Sequence, residues 1–157
     1  MTQFQGASLC KQSVSHLFVS DPITVPLHAS VREVVVLMQK KRIGAVLVEA
    51  EGRLKGVFSE RDVVTRVLAL NLPLETPVKE FLRPVPVFVK PADDVGKAMD
   101  LMSEHYLRHL AVVDDDMKIL GMISVRNIVD CLAQQFPEAV INQPPRADQM
   151  MSAPEGG

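Results

Sequence analysis

Apolar and polar positions along this chain follow helical and strand periods in alternation, and the whole alternation occurs twice. Asp21 to Pro26 reads as a short strand fenced by Pro22 and Pro26, a composition that suits a sheet edge or a strand end. Ser30-Val31-Arg32-Glu33 matches a capping box, which predicts a helix of about twelve residues. Val31, Val34, Val35 and Met38 give that helix one apolar face at the i, i+3, i+4, i+7 spacing. Ala45 to Val48 reads as a buried strand, Glu51-Gly52 as a turn and Leu54 to Phe58 as the returning strand. A second helix then begins after Ser59, with Val63, Val64, Val67 and Leu68 predicted inward, and Asn71-Leu72-Pro73 ends it.

The same order returns further along. Pro86-Val87-Phe88-Val89 is the proline-led strand, and Asp94 caps a helix whose face is Val95, Ala98, Met99 and Met102, each 64 residues after its counterpart. Leu110 to Val113 is the buried strand, Asp114-Asp115-Asp116 the turn and Ile119 to Ile123 the return. The last helix presents Ile128, Val129, Leu132 and Ala133, each 65 after its twin. The slip from 64 to 65 predicts one inserted residue near the end of the first helix. Agreement in order, register and capping position identifies an internal duplication. The expected organisation is a lead-in (1–12), a first repeat (13–71), a linker (72–79), a second repeat (80–136) and a flexible tail (137–157) whose last part is rich in Pro, Gln, Met and Gly.

Composition narrows the classes of function. At 157 residues, with 47% hydrophobic and 23% charged positions, the chain can build a core. A net charge of −2 gives no long-range attraction to nucleic acid or to an acidic membrane. Cys10 and Cys131 make neither a disulfide framework nor a zinc site. No signal peptide and no apolar run near 18 residues is visible, so the expected location is the cytoplasm. A nucleophile elbow, a phosphate-binding loop ending in Lys and a compatibly spaced catalytic trio are absent from the sequence.

Candidate chemistry sits in the two copies of one stretch, Gly56-Val57-Phe58-Ser59-Glu60-Arg61-Asp62 and Gly121-Met122-Ile123-Ser124-Val125-Arg126-Asn127. Each reads as a strand that ends at a serine and turns directly into a helix, whose unpaired N–H groups favour an anionic or hydroxyl-rich ligand. The plainer reading is a capping box needing no ligand, and one set of residues can serve both ends. His105 and His109 have i, i+4 spacing, but no third ligand accompanies them, so a phosphate-facing or surface role is expected rather than a metal. The three aspartates are too few for a calcium loop.

A tandem β-α-β-β-α unit with glycine, two apolar residues, serine, two residues and Asp or Asn resembles the CBS domain pair, or Bateman module. The resemblance covers about residues 14–136. It implies an α/β (α+β) fold, tandem β-α-β-β-α CBS repeats packed about a pseudo-twofold axis, with clefts for adenosine-containing ligands (AMP, ADP, ATP, NAD(H) or S-adenosylmethionine). It implies that Asp62 accepts from the ribose hydroxyls, that Ser59 touches ribose or phosphate, that Arg61 reaches a phosphate, that Thr24 meets the base, and that Gly44, Ala45 and Val46 form a thin apolar wall. In the second repeat it implies Arg108 and His109 near a phosphate, with Ser124, Arg126 and Asn127 as further candidates. There Asn127 replaces the acid, and Phe88 replaces Thr24, either to stack on a base or to plug the cleft. The expected function is a non-enzymatic sensor holding one adenine nucleotide per chain, AMP or ATP first, with no required cofactor. It would signal through a homodimer or a separate effector protein. The alternative is a dimerisation scaffold with empty clefts, and a small nucleotide-processing enzyme ranks last.

Overall fold

Ser30 starts the first helix, α1 (Val31–Lys41), by reciprocal bonding. Its hydroxyl accepts from the Glu33 N–H at 3.2 Å, and its own N–H donates to Glu33 Oε2 at 2.7 Å. This computed structural model describes residues 10–135, so most of the expected lead-in and the whole expected tail fall outside it. Two sheets form. One has the order β2 (Thr24–Pro26), β3 (Ala45–Ala50), β4 (Arg53–Ser59). The other has the order β1 (Val19–Ser20), β7 (Ile119–Ser124), β6 (His109–Val113), β5 (Phe88–Val89). In each repeat the first two strands are parallel and joined across a helix, α1 or α3 (Val95–Glu104), while the next pair is an antiparallel hairpin. A further helix follows each hairpin: α2, which runs as Glu60–Asp62 and continues through Val63–Leu68, and α4 (Val125–Gln135). The architecture is the predicted α+β tandem.

Alternation along the strands divides the core. Val46, Val48 and Phe58 point under the first repeat's helices with Val31, Val34, Met38 and Val67. Leu110, Val112 and Ile123 do the same in the second with Val95, Ala98, Met102 and Ile128. Leu47 and Leu54 face the opposite way and meet Ala111 and Val113, which joins the two sheets. Phe88 packs against this joint.

The segment before each repeat crosses to the other one. Val14 lies in the second repeat's core and its twin Val78 in the first's. Val14 N–H donates to Asp93 O at 2.8 Å, and Val78 N–H donates to Ala29 O at 2.9 Å. Phe18 sits on Gly121 and Leu82 on Gly56. Residues 13–20, counted by sequence in the first repeat, thus complete the second, and the linker completes the first. Hydrophobic period alone cannot register this exchange, because a buried valine reads the same whichever core it enters.

Three expectations are corrected. First, Val64 is 59% exposed and Leu68 is exposed as well. The stretch Val63–Leu68 is wound as a π-helix, with Ala69 N–H bonding Val64 O at 3.1 Å, so the 3.6-residue face does not apply. Thr65 Oγ1 also donates to Arg61 O at 2.7 Å, a local competitor of regular helix. Second, Val129 is 53% exposed and Met99 is exposed too, so these helices carry apolar side chains beyond the core-facing stripe. Third, the inserted residue lies in the second hairpin. Ala45 and His109, which open β3 and β6, remain 64 apart, whereas Val48 pairs with Gly56 and Val112 with Gly121. Asp114 Oδ1 holds that longer turn by accepting from the N–H groups of Asp116 (3.0 Å) and Lys118 (2.9 Å).

Candidate functional site

Strand β4 ends at Ser59, and the chain turns at once into α2. Asp62 Oδ2 accepts from the Ser59 N–H at 2.9 Å and from its hydroxyl at 2.7 Å. Asp62 Oδ1 lies 3.7 Å from Arg66 Nε, and the side chain keeps 24% exposure. In the second repeat Asn127 Oδ1 accepts the same two bonds from Ser124 at 2.8 and 2.7 Å. The cap is therefore shared by both copies, while only the first carries a second carboxylate oxygen outside it.

Asp62 and Ser59 open onto a cavity of about 670 Å³ between the repeats. Gly44, Glu60 and Arg61 line its first-repeat side. His105, Tyr106, Leu107, Arg108 and His109 line the other, in the short connection from α3 into β6. Two arginines already bond to backbone carbonyls on this second wall. Arg61 Nη1 donates to Tyr106 O at 3.0 Å, and Arg83 Nη2 donates to His105 O at 2.9 Å. Arg66 lines the cavity while donating to Phe81 O. Four arginines (61, 66, 83 and 108) against the carboxylates of Glu60 and Asp62 leave an excess of positive charge, which suits an anionic ligand.

The structure thus gathers Gly44, Ser59, Arg61, Asp62, Arg108 and His109 around one cavity. It does not gather the rest. Thr24 is exposed on β2 and is not among the lining residues. Ala45 and Val46 are fully buried, so the apolar walls are Val57, Val64 and Leu107 instead. Ser124 at the end of β7 and Arg126 and Asn127 in the first turn of α4 are not among the lining residues, and the Arg126 side chain is 88% exposed with Asp130 at 3.7 Å. Sequence reasoning missed Arg66, Arg83 and Tyr106. Arg83 left no signal because it lies ahead of the repeated strand-helix pattern, and Tyr106 carries no motif of its own beside Arg108 and His109.

Burial pushes the His109 imidazole below its ordinary value of 6.5, the nearby Glu60 carboxylate opposes this, and Arg108 adds to it. The unfolded chain therefore takes up this proton at a higher pH than the folded one. Stability should rise with pH between the lowered value and 6.5, and fall as pH drops through that window. Urea midpoints at about pH 7.5 and 5.5 should differ more for the wild type than for His109→Gln. Among the described residues no group of three or more His, Cys, Asp or Glu is placed to hold a metal. No helix among them is long and apolar enough to cross a membrane.

The family model for the CBS domain matches residues 14–69 and again residues 78–134. The chain belongs to the CBS domain family. Its two repeats form a CBS pair, and known CBS proteins resemble it over most of its length. It is 28% identical to the CBS domain-containing protein YhcV of Bacillus subtilis over 116 residues, 74% of this chain and 82% of that protein. A CBS domain protein from Pyrobaculum aerophilum, solved in complex with AMP, is 30% identical with a TM-score of 0.68, covering 78% of this chain and 99% of that one. The CBS domain pair of protein MJ0100, solved with 5′-methylthioadenosine and S-adenosyl-L-methionine, shares the fold at a TM-score of 0.72 and 21% identity, covering 79% of this chain and 98% of that one. Some relatives are much longer, and this chain spans 16% and 41% of two of them.

Proposed function

We propose that this CBS pair is a non-catalytic regulatory module that binds one adenosine-containing nucleotide in the cavity beside Asp62. The observation that carries this reading is the convergence of Ser59, Asp62, Arg61, Arg108 and His109, from both repeats, on one cavity with excess positive charge. In it Asp62 Oδ1 accepts from the ribose diol, Ser59 supports it, and Arg61, Arg83, Arg108 and His109 face the phosphates. The 30% identical relative solved with AMP makes AMP the first candidate, followed by ATP, ADP, NAD(H) and S-adenosylmethionine. One ligand per chain is proposed, because Asn127 spends its only oxygen on its cap and Phe88 is engaged with the inter-sheet core. The proposed setting is cytoplasmic.

Binding energy must reach an output, and the helices offer one. Val64, Leu68, Val125 and Val129 are exposed on α2 and α4, and Val35, Met38, Ile43, Val63 and Val64 line a groove of about 590 Å³ along α1 and α2. A second copy of the chain covering this face is the proposed partner, with a separate effector reading the assembled form. Sedimentation should give a dimer for the wild type and a monomer for the Val64→Asp/Val129→Asp double variant. Both sites being exposed, its own fold should lose little stability. A monomeric wild type overturns the dimer.

Thermal shift with AMP, ADP, ATP, NADH and S-adenosylmethionine tests the sensor itself. A ligand at a hundred times its Kd adds about 2.7 kcal/mol of stability. No shift with any of the five overturns the reading and leaves the scaffold.

A further inference from the structure

Tyr106 follows α3 with φ 55°, in the left-handed region. Its twin Arg42 has φ 54° just after α1, so the fold requires this conformation at the end of both helices. Glycine or asparagine is the ordinary occupant of such a position, and a bulky aromatic is strained there. Packing does not explain the ring either. Tyr106 belongs to none of the three apolar clusters and is 76% exposed. What distinguishes its position is that Tyr106 lines the cavity holding Ser59 and Asp62, and that Arg61, on the same cavity, fixes its carbonyl at 3.0 Å. The same lining includes the aliphatic side chains of Val57 and Val64.

We propose that Tyr106 is the platform on which the ligand's nucleobase stacks, closing the mouth of the cavity over a base whose other face rests on aliphatic wall. This rests on the nucleotide reading above and names the residue that selects a base-bearing ligand over a bare sugar phosphate. A flat π-face attracts any nucleobase without needing its hydrogen-bond edge. Ribose and phosphate selection stays with Asp62 and the arginines, and Tyr106 supplies the contact that ribose 5-phosphate cannot use.

The chain has one Tyr and no Trp, so its tyrosine emission comes from this position alone. AMP, ATP and S-adenosylmethionine are titrated with correction for their absorbance, alongside calorimetry, and ribose 5-phosphate serves as the control. The expected result is saturable quenching by a base-bearing ligand at its calorimetric Kd, and none by ribose 5-phosphate. Tyr106→Asn, which removes the ring and suits the left-handed backbone, should weaken that ligand about tenfold or more while leaving ribose 5-phosphate unchanged. Tyr106→Phe should bind within about twofold of the wild type. Binding by the wild type without quenching, or with Tyr106→Asn unimpaired, overturns stacking and leaves the sensor intact. Failure of these three and of ADP and NADH to bind the wild type overturns both.

Discussion

Replacing Asp62 with alanine is expected to weaken AMP binding by about a hundredfold, the loss of two hydrogen bonds to a charged acceptor. The same substitution removes a helix cap and should cost about 1 kcal/mol of stability, so affinity and folding must be measured separately. The second repeat supplies the control. Asn127 makes both cap bonds at distances within about 0.1 Å of those at Asp62. Asp62→Asn should therefore keep the cap and the melting temperature, yet bind AMP poorly, because its one oxygen is consumed by Ser59 and an amide donor replaces the free carboxylate oxygen. Calorimetry on both variants decides the matter. If Asp62→Asn melts normally and binds AMP as the wild type does, Asp62 is a cap and nothing more.

The second large effect concerns stability and separates two glycines that look equivalent in sequence. A Cβ on Gly121 would come within 2.2 Å of Phe18 Cδ2 and 2.5 Å of Val19 O. The latter is backbone in β1, paired to β7 at Ser20 and Gly121, so neither atom can simply rotate away. Gly121→Ala should cost about 3 kcal/mol and lower the melting temperature by roughly 6–12 °C. The nearest atoms to a Cβ on Gly56 all belong to the Leu82 side chain, the closest being its flexible far end, Cδ2, at 2.9 Å. Gly56→Ala should cost no more than about 1 kcal/mol, with Leu82→Ala relieving the contact. Denaturant unfolding of the two variants checks the asymmetry, and equal losses would refute it.

These two cases mark what could be read from residues alone. The element order, the capping box at Ser30 and the buried strands were legible because each depends on neighbours close in sequence. So was the pairing of Ser59 with Asp62, three residues apart. The cavity's charge was only partly legible. Arg61 and Arg108 belong to recognisable stretches, but Arg83 reaches the site from the segment ahead of β5, whose path is set by long-range packing. Val64 and Leu68 were misplaced because a π-helical stretch changes the period on which the face was drawn. The roles of Ala45 and Val46 failed for a different reason. Strand alternation and full burial leave them no surface to offer, and sequence pattern does not say how deep a sheet lies.

The crossing of the opening segments ties the two halves together. Val14 completes one hydrophobic centre and Val78 the other, by matching backbone bonds. Neither half closes its own centre with its own leading turn, so each depends on the other to stay dry inside, and the pair rather than the single repeat is the folding unit.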